Sequence, residues 1–507
     1  MPGANAAEQE AVIALLSDPA SHGGAAVERV TTHGAIIFLA GDRAWKLKRA
    51  VRFPYMDFST AALRRAACEA ELRLNRRTAP ELYLAVVPVT RAADGALAID
   101  GGGEPVDWLV AMRRFPADAV LDGVADRGGV DAALAEAIAE HVASFHAAAE
   151  RRPDGGGVAA MRRVIDTNDA ALVPCAPTLP REATAALTEE SRRRLEVLGP
   201  LLERRRREGC VRLGHGDLHL ANICLIAGEP RLFDALEFDE RLITIDVLYD
   251  AAFLVMDLWV RGLRVAAHRF LGRYVERTGD LAGLALMPLF LSMRAAVRAH
   301  VSVAMGGADA ARRARAYLAL AGAALEPAPP CLIAVGGLSG TGKSTLALAL
   351  APSLPPAPGA VVLRSDLVRK RLAGLKPGER AGPEAYAPER TRQVYERLRR
   401  DAATALAAGR SAIVDAVHAD PAERAAVEAV AARLGVPFRG IWLEAPAPTL
   451  VARVEARRGD ASDADAAVVR RQLGYDIGTL AWPAVTATGD RDAVVDAARR
   501  LIDPAAA

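Results

Sequence analysis

The stretch CLIAVGGLSGTGKST, Cys331 to Thr345, limits what this chain can fold into more than any other part of it. An apolar run suited to a β-strand leads into a glycine-rich loop and then into the first turn of a helix, and Gly337, Gly342, Lys343 and Ser344 meet the fixed positions of G-x-x-x-x-G-K-[ST]. Such a loop wraps its backbone N–H groups around the phosphates of a nucleotide. Lys343 then reaches the β- and γ-phosphates, and the Ser344 hydroxyl faces Mg²⁺. Ser339, Gly340, Thr341 and Thr345 complete the expected cradle. Just upstream, EPAPP (Glu326 to Pro330) reads as a stiff proline-rich linker, so one domain is expected over 1–325 and another over 331–507.

A chain of 507 residues, 51% apolar and 25% charged, has room for two or three domains with ordinary cores and the balance of a soluble globular protein. A formal net charge of +2 gives no electrostatic reason to expect nucleic acid, and Arg204 to Arg207, set between Glu203 and Glu208, read as a solvated helix end. Five cysteines, never at C-x-x-C spacing, argue against a disulfide framework or a zinc site and suit a reducing cytoplasm. No basic segment followed by an apolar one opens the chain. The apolar runs near Phe253 and Leu284 read as too short or interrupted by Asp257, so neither export nor membrane insertion is expected.

In the first part, residues 5–17 have the pattern of a short amphipathic helix. The stretch TTHGAIIFLAGDRAWKLKRAV then predicts a hairpin: Ile36 to Leu39, a turn at Gly41-Asp42, and Ala44 to Lys48. Lys46 and Lys48 share one face of the second strand, and from this segment alone they read as solvated edge lysines. Thr60 to Arg77 is helical in pattern and carries Glu69 and Glu71. A glutamate helix after a lysine strand suits the ion pair that orients a phosphate-binding lysine in kinases, and spacing to Pro80 favours Glu71 over Glu69. Strands are expected near Leu82 to Val89 and Leu109 to Arg113. Residues 131–150 read as a helix whose His141 and His146 are structural.

The chemistry of this part concentrates in VRLGHGDLHLANICL and, after a hairpin turn, LFDALEF. Asp217 and Asn222 are five apart, and Asp234 follows an apolar strand. That order supplies a carboxylate to take a proton from a hydroxyl, an amide oxygen for Mg²⁺ and a second carboxylate for Mg²⁺.

HGDLHLAN resembles the catalytic loop of aminoglycoside phosphotransferases and related small-molecule kinases of protein-kinase-like fold, and the resemblance spans about residues 25–300. FLAGDRAWKLKR resembles the lysine strand, FDALEF the metal-binding segment, and IDVLYDAAF the aspartate-containing helix behind it. The resemblance implies Lys46 as the phosphate lysine, Glu71 as its partner, Asp217 as the base, and Asn222 and Asp234 as metal ligands. No G-x-G-x-x-G precedes the lysine strand and no A-P-E follows Asp234, which disfavours a protein substrate. The helices from Val247 to about Leu325 are expected to build the acceptor pocket.

After the P-loop, GAVVLRSDLVRKRL predicts a second strand leading to Asp366, and RSAIVDAVHAD a third ending at Asp415. Residues at the carboxyl ends of strands in a doubly wound sheet face the ligand crevice, so both carboxylates are expected near the phosphates. Arg453, Arg457 and Arg458 resemble the lid arginines of small P-loop kinases, a group that includes gluconate kinase, chloramphenicol phosphotransferase, polynucleotide kinase and zeta toxins. That resemblance makes Asp366 the acceptor-hydroxyl aspartate, Asp415 a Walker-B-like carboxylate and Arg457 a nucleotide contact. A motor ATPase needs a helical subdomain and oligomer-interface residues, for which a domain this compact leaves little room.

The expected fold is thus an α+β protein-kinase-like bilobal domain followed by an α/β P-loop domain with a doubly wound parallel sheet. The whole order resembles bacterial fusions of an aminoglycoside-phosphotransferase-like domain to an ATP-binding domain. The expected activity is ATP·Mg²⁺-dependent phosphorylation of a small-molecule hydroxyl acceptor at two sites. The competing readings are a ligand-binding module switched by a P-loop ATPase, and a nucleic-acid end kinase, which an aromatic content of 5% does not favour. Nothing in the sequence sets the oligomeric state.

Overall fold

The computed structural model describes residues 2–53, 56–457 and 461–502. The chain divides into two compact units, Met1–Ala171 with Arg192–Arg261, and Leu172–Ser191 with Gly262–Ala507.

Alternating apolar residues build the first unit's six-stranded antiparallel sheet, ordered Val27–Thr31, Ala35–Ala40, Arg43–Lys48, Glu104–Arg113, Tyr83–Arg91 and Leu97–Ile99. The hairpin forms as read, with Ala40 opposite Arg43. Its second strand also pairs with Glu104–Arg113, so the lysine strand is internal. Leu47 packs with Val12 and Leu16 of the helix Pro2–Ser17 on one face, and Ala44 packs with Cys68 of the helix Ala61–Asn75 on the other. With both faces covered, Lys46 and Lys48 are buried, at 8% and 2% exposure. This overturns the reading of solvated edge lysines. A helical portion follows, including Ala132–Ala148 and Val247–Val260, and two short antiparallel pairs carry the loop segments between. The unit is an α+β, bilobal, protein-kinase-like fold.

The arginine run at the end of the helix Arg181–Arg207 is also not wholly solvated. Arg205 is buried and reaches both oxygens of Asp246, Nε to Oδ2 at 2.7 Å and Nη2 to Oδ1 at 2.8 Å. A charge run in sequence does not show which member finds a carboxylate 41 residues away.

The second unit holds a five-stranded sheet, all parallel, in the order Val361–Arg364, Ala412–Asp415, Leu332–Gly337, Phe438–Glu444, Ala484–Thr486. Leu346 and Leu350 of the helix Lys343–Leu350 and Val495 and Ala498 of the C-terminal helix join Ile333, Val335, Ile413 and Ile441 in one core. This is the doubly wound P-loop architecture.

The helices Arg264–Thr278, Met287–Met305 and Ala308–Leu325 group with this sheet, and His268 Nε2 lies 2.8 Å from Ala360 O. Glu326–Pro330 therefore lies inside the second unit, and the compact units part at Arg261/Gly262 instead. Prolines stiffen a backbone locally, whereas apolar helix faces determine what packs together. The segment Ala282–Met305 is long and apolar enough, by length and composition, to cross a membrane, which corrects the reading of the run near Leu284 as too short. Its most apolar stretch is 72% buried within the fold. All five cysteines are free thiols.

Candidate active sites

In the first unit the lysine strand and the helix Ala61–Asn75 meet in a buried network of charges. Lys46 Nζ lies 2.7 Å from Glu71 Oε1 and 2.5 Å from Asp234 Oδ1. Glu69, the second candidate, is half exposed and pairs with Arg65 on the helix surface. Lys48 takes the other Glu71 oxygen at 2.5 Å and also meets Glu237. Burial alone would push the Lys46 ammonium down; Asp234 and Glu71 outweigh it and hold it well above the ordinary lysine value. Burial likewise opposes the Glu71 carboxylate, but the two ammonium groups pull it below its usual range. Burial raises the Glu237 carboxyl despite Lys48.

The HGDLHLAN segment is held from behind. Asp250 accepts the His215 and Gly216 N–H groups at 2.6 and 3.0 Å, and His146 Nε2 lies 3.3 Å from the same carboxylate. His146 on its helix is therefore structural, as read. Gly216 is required: its φ is +84°, and a Cβ there would lie 2.5 Å from Ile243 Cγ2. His215 is buried, which lowers its basicity; its Nε2 lies 3.0 Å from Phe233 O, and its Nδ1 lies 3.4 Å from Asp217 N. Asn222 Nδ2 donates to Asp217 Oδ2 and to Asp217 O, both at 2.9 Å, which turns its Oδ1 away from Asp217. His219 Nε2 lies 3.3 Å from Asp217 Oδ2. Asp234 sits at φ +60°, a left-handed conformation that aspartate tolerates better than branched residues, and its N–H donates to the Tyr83 hydroxyl at 3.0 Å. Its carboxylate is 41% exposed, so one side remains open to a ligand.

In the second unit, parallel pairing sets Asp415 beside Val335 and Arg364, at the carboxyl ends of three adjacent strands. Ser344 Oγ donates to Asp415 Oδ2 at 2.5 Å, and Lys343 Nζ donates to Leu338 O at 2.9 Å. Burial pushes the Lys343 ammonium down, against Asp415 and Asp366, and pushes the Asp415 carboxyl up, against Lys343 and Arg364. A cavity of about 1280 Å³ is lined by Ser339, Gly340, Gly342, Lys343, Ser344 and Thr345, and by Asp366, Asp415, Arg453 and Arg457. Gly340, at φ +89°, could carry no side chain, since a Cβ would lie 2.7 Å from Leu450 O.

Gly337 and Thr341 are not among the lining residues. Gly337 closes the strand, its N–H on Val417 O at 3.1 Å, and the Thr341 hydroxyl turns back to Leu338 O at 2.8 Å. They shape the loop from behind. Arg457 caps the helix Ala447–Ala456, and Arg458 lies outside the described residues. Sequence reasoning missed Gln472, whose Oε1 accepts the Ser339 N–H at 2.8 Å from 133 residues away. It also missed Lys48, Glu237 and His219; the alternation that puts Lys48 beside Lys46 was the one available signal.

These donors fit a nucleotide and a divalent cation. The left-handed glycines open backbone N–H groups toward phosphate, and each unit has oxygen donors that suit a hard cation, the bonded Ser344 and Asp415 in the second and the partly exposed Asp234 carboxylate in the first. Among the described residues no group of three or more His, Cys, Asp or Glu could hold a metal. Mg²⁺ bound mainly through substrate phosphates and one or two carboxylates needs none.

Fold and site together define the class: a protein that fuses a protein-kinase-like domain to a P-loop domain. Residues 332–475 match the family model described as an AAA domain. The chain is 36% identical over 470 residues to the uncharacterized protein Rv2004c of Mycobacterium tuberculosis, covering 88% of this chain and 90% of the relative, and it belongs to the same family. Among solved structures, a choline/ethanolamine kinase family protein from Mesorhizobium loti aligns over 63% of this chain and 95% of its own, at 15% identity and a TM-score of 0.38. A sugar kinase from Janibacter sp. HTCC2649 aligns over 35% and 96%, at 19% identity and a TM-score of 0.26.

Proposed function

We propose that the chain is an ATP- and Mg²⁺-dependent small-molecule kinase with two sites, one in each unit, each transferring the γ-phosphoryl group to a hydroxyl of a sugar, amino sugar or aminoglycoside-like acceptor. The acceptor oxygen bonds to phosphorus as the bridge to the β-phosphate breaks, ADP leaves with the electron pair, and the hydroxyl proton passes to an aspartate. Asp217 is that base in the first unit and Asp366 in the second. Lys46 and Lys343 bind phosphate, Arg457 contacts the nucleotide, and Asn222 with Asp234 and Ser344 with Asp415 hold the cation. The five free thiols suit a reducing compartment, and we assign the activity to the cytoplasm.

The observation that supports this reading is that each unit has its own lysine and its own carboxylates. Lys46 reaches Asp234 at 2.5 Å, and Ser344 reaches Asp415 at 2.5 Å beside a cavity that Lys343 and Asp366 also line. The AAA-domain match is neutral between a kinase and a motor; a second carboxylate in the cavity wall, Asp366 in addition to Asp415, favours transfer to a hydroxyl.

The test is a phosphoryl-transfer screen of sugars, amino sugars, aminoglycosides and nucleosides with wild type, Asp217→Asn and Lys343→Ala, followed by mass. Asp217→Asn should lower first-site transfer about 10²- to 10⁴-fold while ATP binding persists, since the base acts on the acceptor. Lys343→Ala should silence only the second site. Loss of every activity in either single mutant would overturn independent sites in favour of a switch, and transfer to oligonucleotide ends would redirect the substrate class.

A further inference from the structure

We infer that Lys48, with Glu237 as its counter-ion, is a positioning residue of the first unit: it keeps Glu71 charged and in place so that Lys46 is free to turn to the nucleotide phosphates. The inference rests on reading this unit as a nucleotide site. Glu71 has no exposed surface, and its two oxygens are divided between two lysines, Oε1 with Lys46 at 2.7 Å and Oε2 with Lys48 at 2.5 Å. Lys46 also holds Asp234 at 2.5 Å. With a nucleotide and its cation bound, Asp234 would be the residue to hold the cation and Lys46 the residue to supply donors to phosphate.

With one lysine only, a buried Glu71 would compete with the phosphates for that lysine, because an unpaired buried carboxylate is strongly disfavoured. Lys48 removes the competition. Its side chain is 3% exposed, and its position is set from both sides: Glu237 pairs with its ammonium, and the Phe58 ring lies 5.4 Å from Nζ. Its backbone is tied as well, since Gln9 Nε2 donates to Lys48 O at 3.0 Å. The Lys48 side chain is less exposed than that of Lys46, which is 10% exposed, and its ammonium meets Glu237 where that of Lys46 meets the partly open Asp234; this separates its role from that of Lys46.

The experiment is MgATP binding to the full-length chain in a Lys343→Ala background, which silences the second unit. Removing Lys48 alone leaves Glu237 unpaired, so the informative variant is Lys48→Met with Glu237→Gln, which removes one charge of each sign. Compared with Glu237→Gln alone, it should bind MgATP about tenfold more weakly, the cost of one lost charge partner in the site. Lys48→Arg should stay within about twofold of the parent. Undiminished affinity in the double variant would overturn the positioning role and leave Lys48 as a buried ion pair. A merely structural role would lower melting temperature and leave the affinity of the folded protein unchanged. Absence of MgATP binding in the Lys343→Ala parent, or binding unmoved by Lys46→Met, would overturn the nucleotide reading of this unit and the role of Lys48 with it.

Discussion

Asp415 illustrates how a single side chain can be held in the state that stability disfavours. Its carboxyl is pushed up by burial, against the pull of Lys343 and Arg364 and the bond from Ser344. A carboxyl raised in the fold adds stability below its unfolded value of 3.8 and loses it as pH rises through the folded value, so at pH 7 the ionised form is a net cost. Asp415→Asn is a neutral mimic of the protonated form that can still accept from Ser344. We expect its melting temperature at pH 7 to equal or exceed that of wild type, while Mg²⁺-dependent turnover of the second unit falls about 10²-fold or more. A clearly lower melting temperature would mean that the Ser344 bond and the Lys343 charge outweigh desolvation.

At the scale of elements, the helix Ala61–Asn75 is anchored along its whole length. Near its start Arg64 makes a fork to Asp107, Nε to Oδ1 at 2.7 Å and Nη2 to Oδ2 at 2.9 Å, with both residues 1% exposed. Glu71 is clamped in the middle, and near the end Asn75 Oδ1 accepts the Ala235 N–H at 2.8 Å. The helix thus ties the lysine strand to the segment that bears Asp234. Arg64→Leu should cost about 3–5 kcal/mol in denaturant unfolding of the first unit, because it leaves the Asp107 charge buried with no counter-ion, held only by the Gln9 amide and the Trp108 N–H. Arg64→Leu with Asp107→Leu should recover much of that loss, since two apolar groups leave no stranded charge. Equal loss in the single and double variants would show that packing, rather than the stranded charge, sets the cost.

For the molecule as a whole, buried imidazoles make the second unit sensitive to acid. Burial pushes His268 and His300 down to about 4 and His418 down to about 3, from an ordinary value of 6.5. A base lowered in the fold leaves stability intact above the unfolded value. Below it, the unfolded chain takes up protons that the fold refuses. The transition of the second unit should therefore hold steady from pH 8 to about 6.5 and fall steeply toward pH 4. Calorimetry across that range tests it, and His268→Gln should flatten the slope, its amide still able to reach Ala360 O. An unchanged slope in that variant would assign the acid sensitivity to other groups.

What the sequence determined by itself was the chemistry whose parts lie close along the chain. The P-loop needs a strand, four fixed residues and a helix start within fifteen positions, so local backbone preference and residue type are enough to read it. The hairpin at Gly41-Asp42 was legible for the same reason, and so was the presence of Asp217 and Asn222 in one loop, but not the bond from the Asn222 amide to the Asp217 carboxylate. Tertiary structure alone decided burial and partnership. It put Ser344 on Asp415 across 71 positions and Lys48 on Glu237 across 189, and it gathered the helices from Arg264 to Leu325 with the parallel sheet. The physical reason is that desolvation and ion pairing depend on which distant surfaces exclude water from a group, and no neighbour in sequence carries that information.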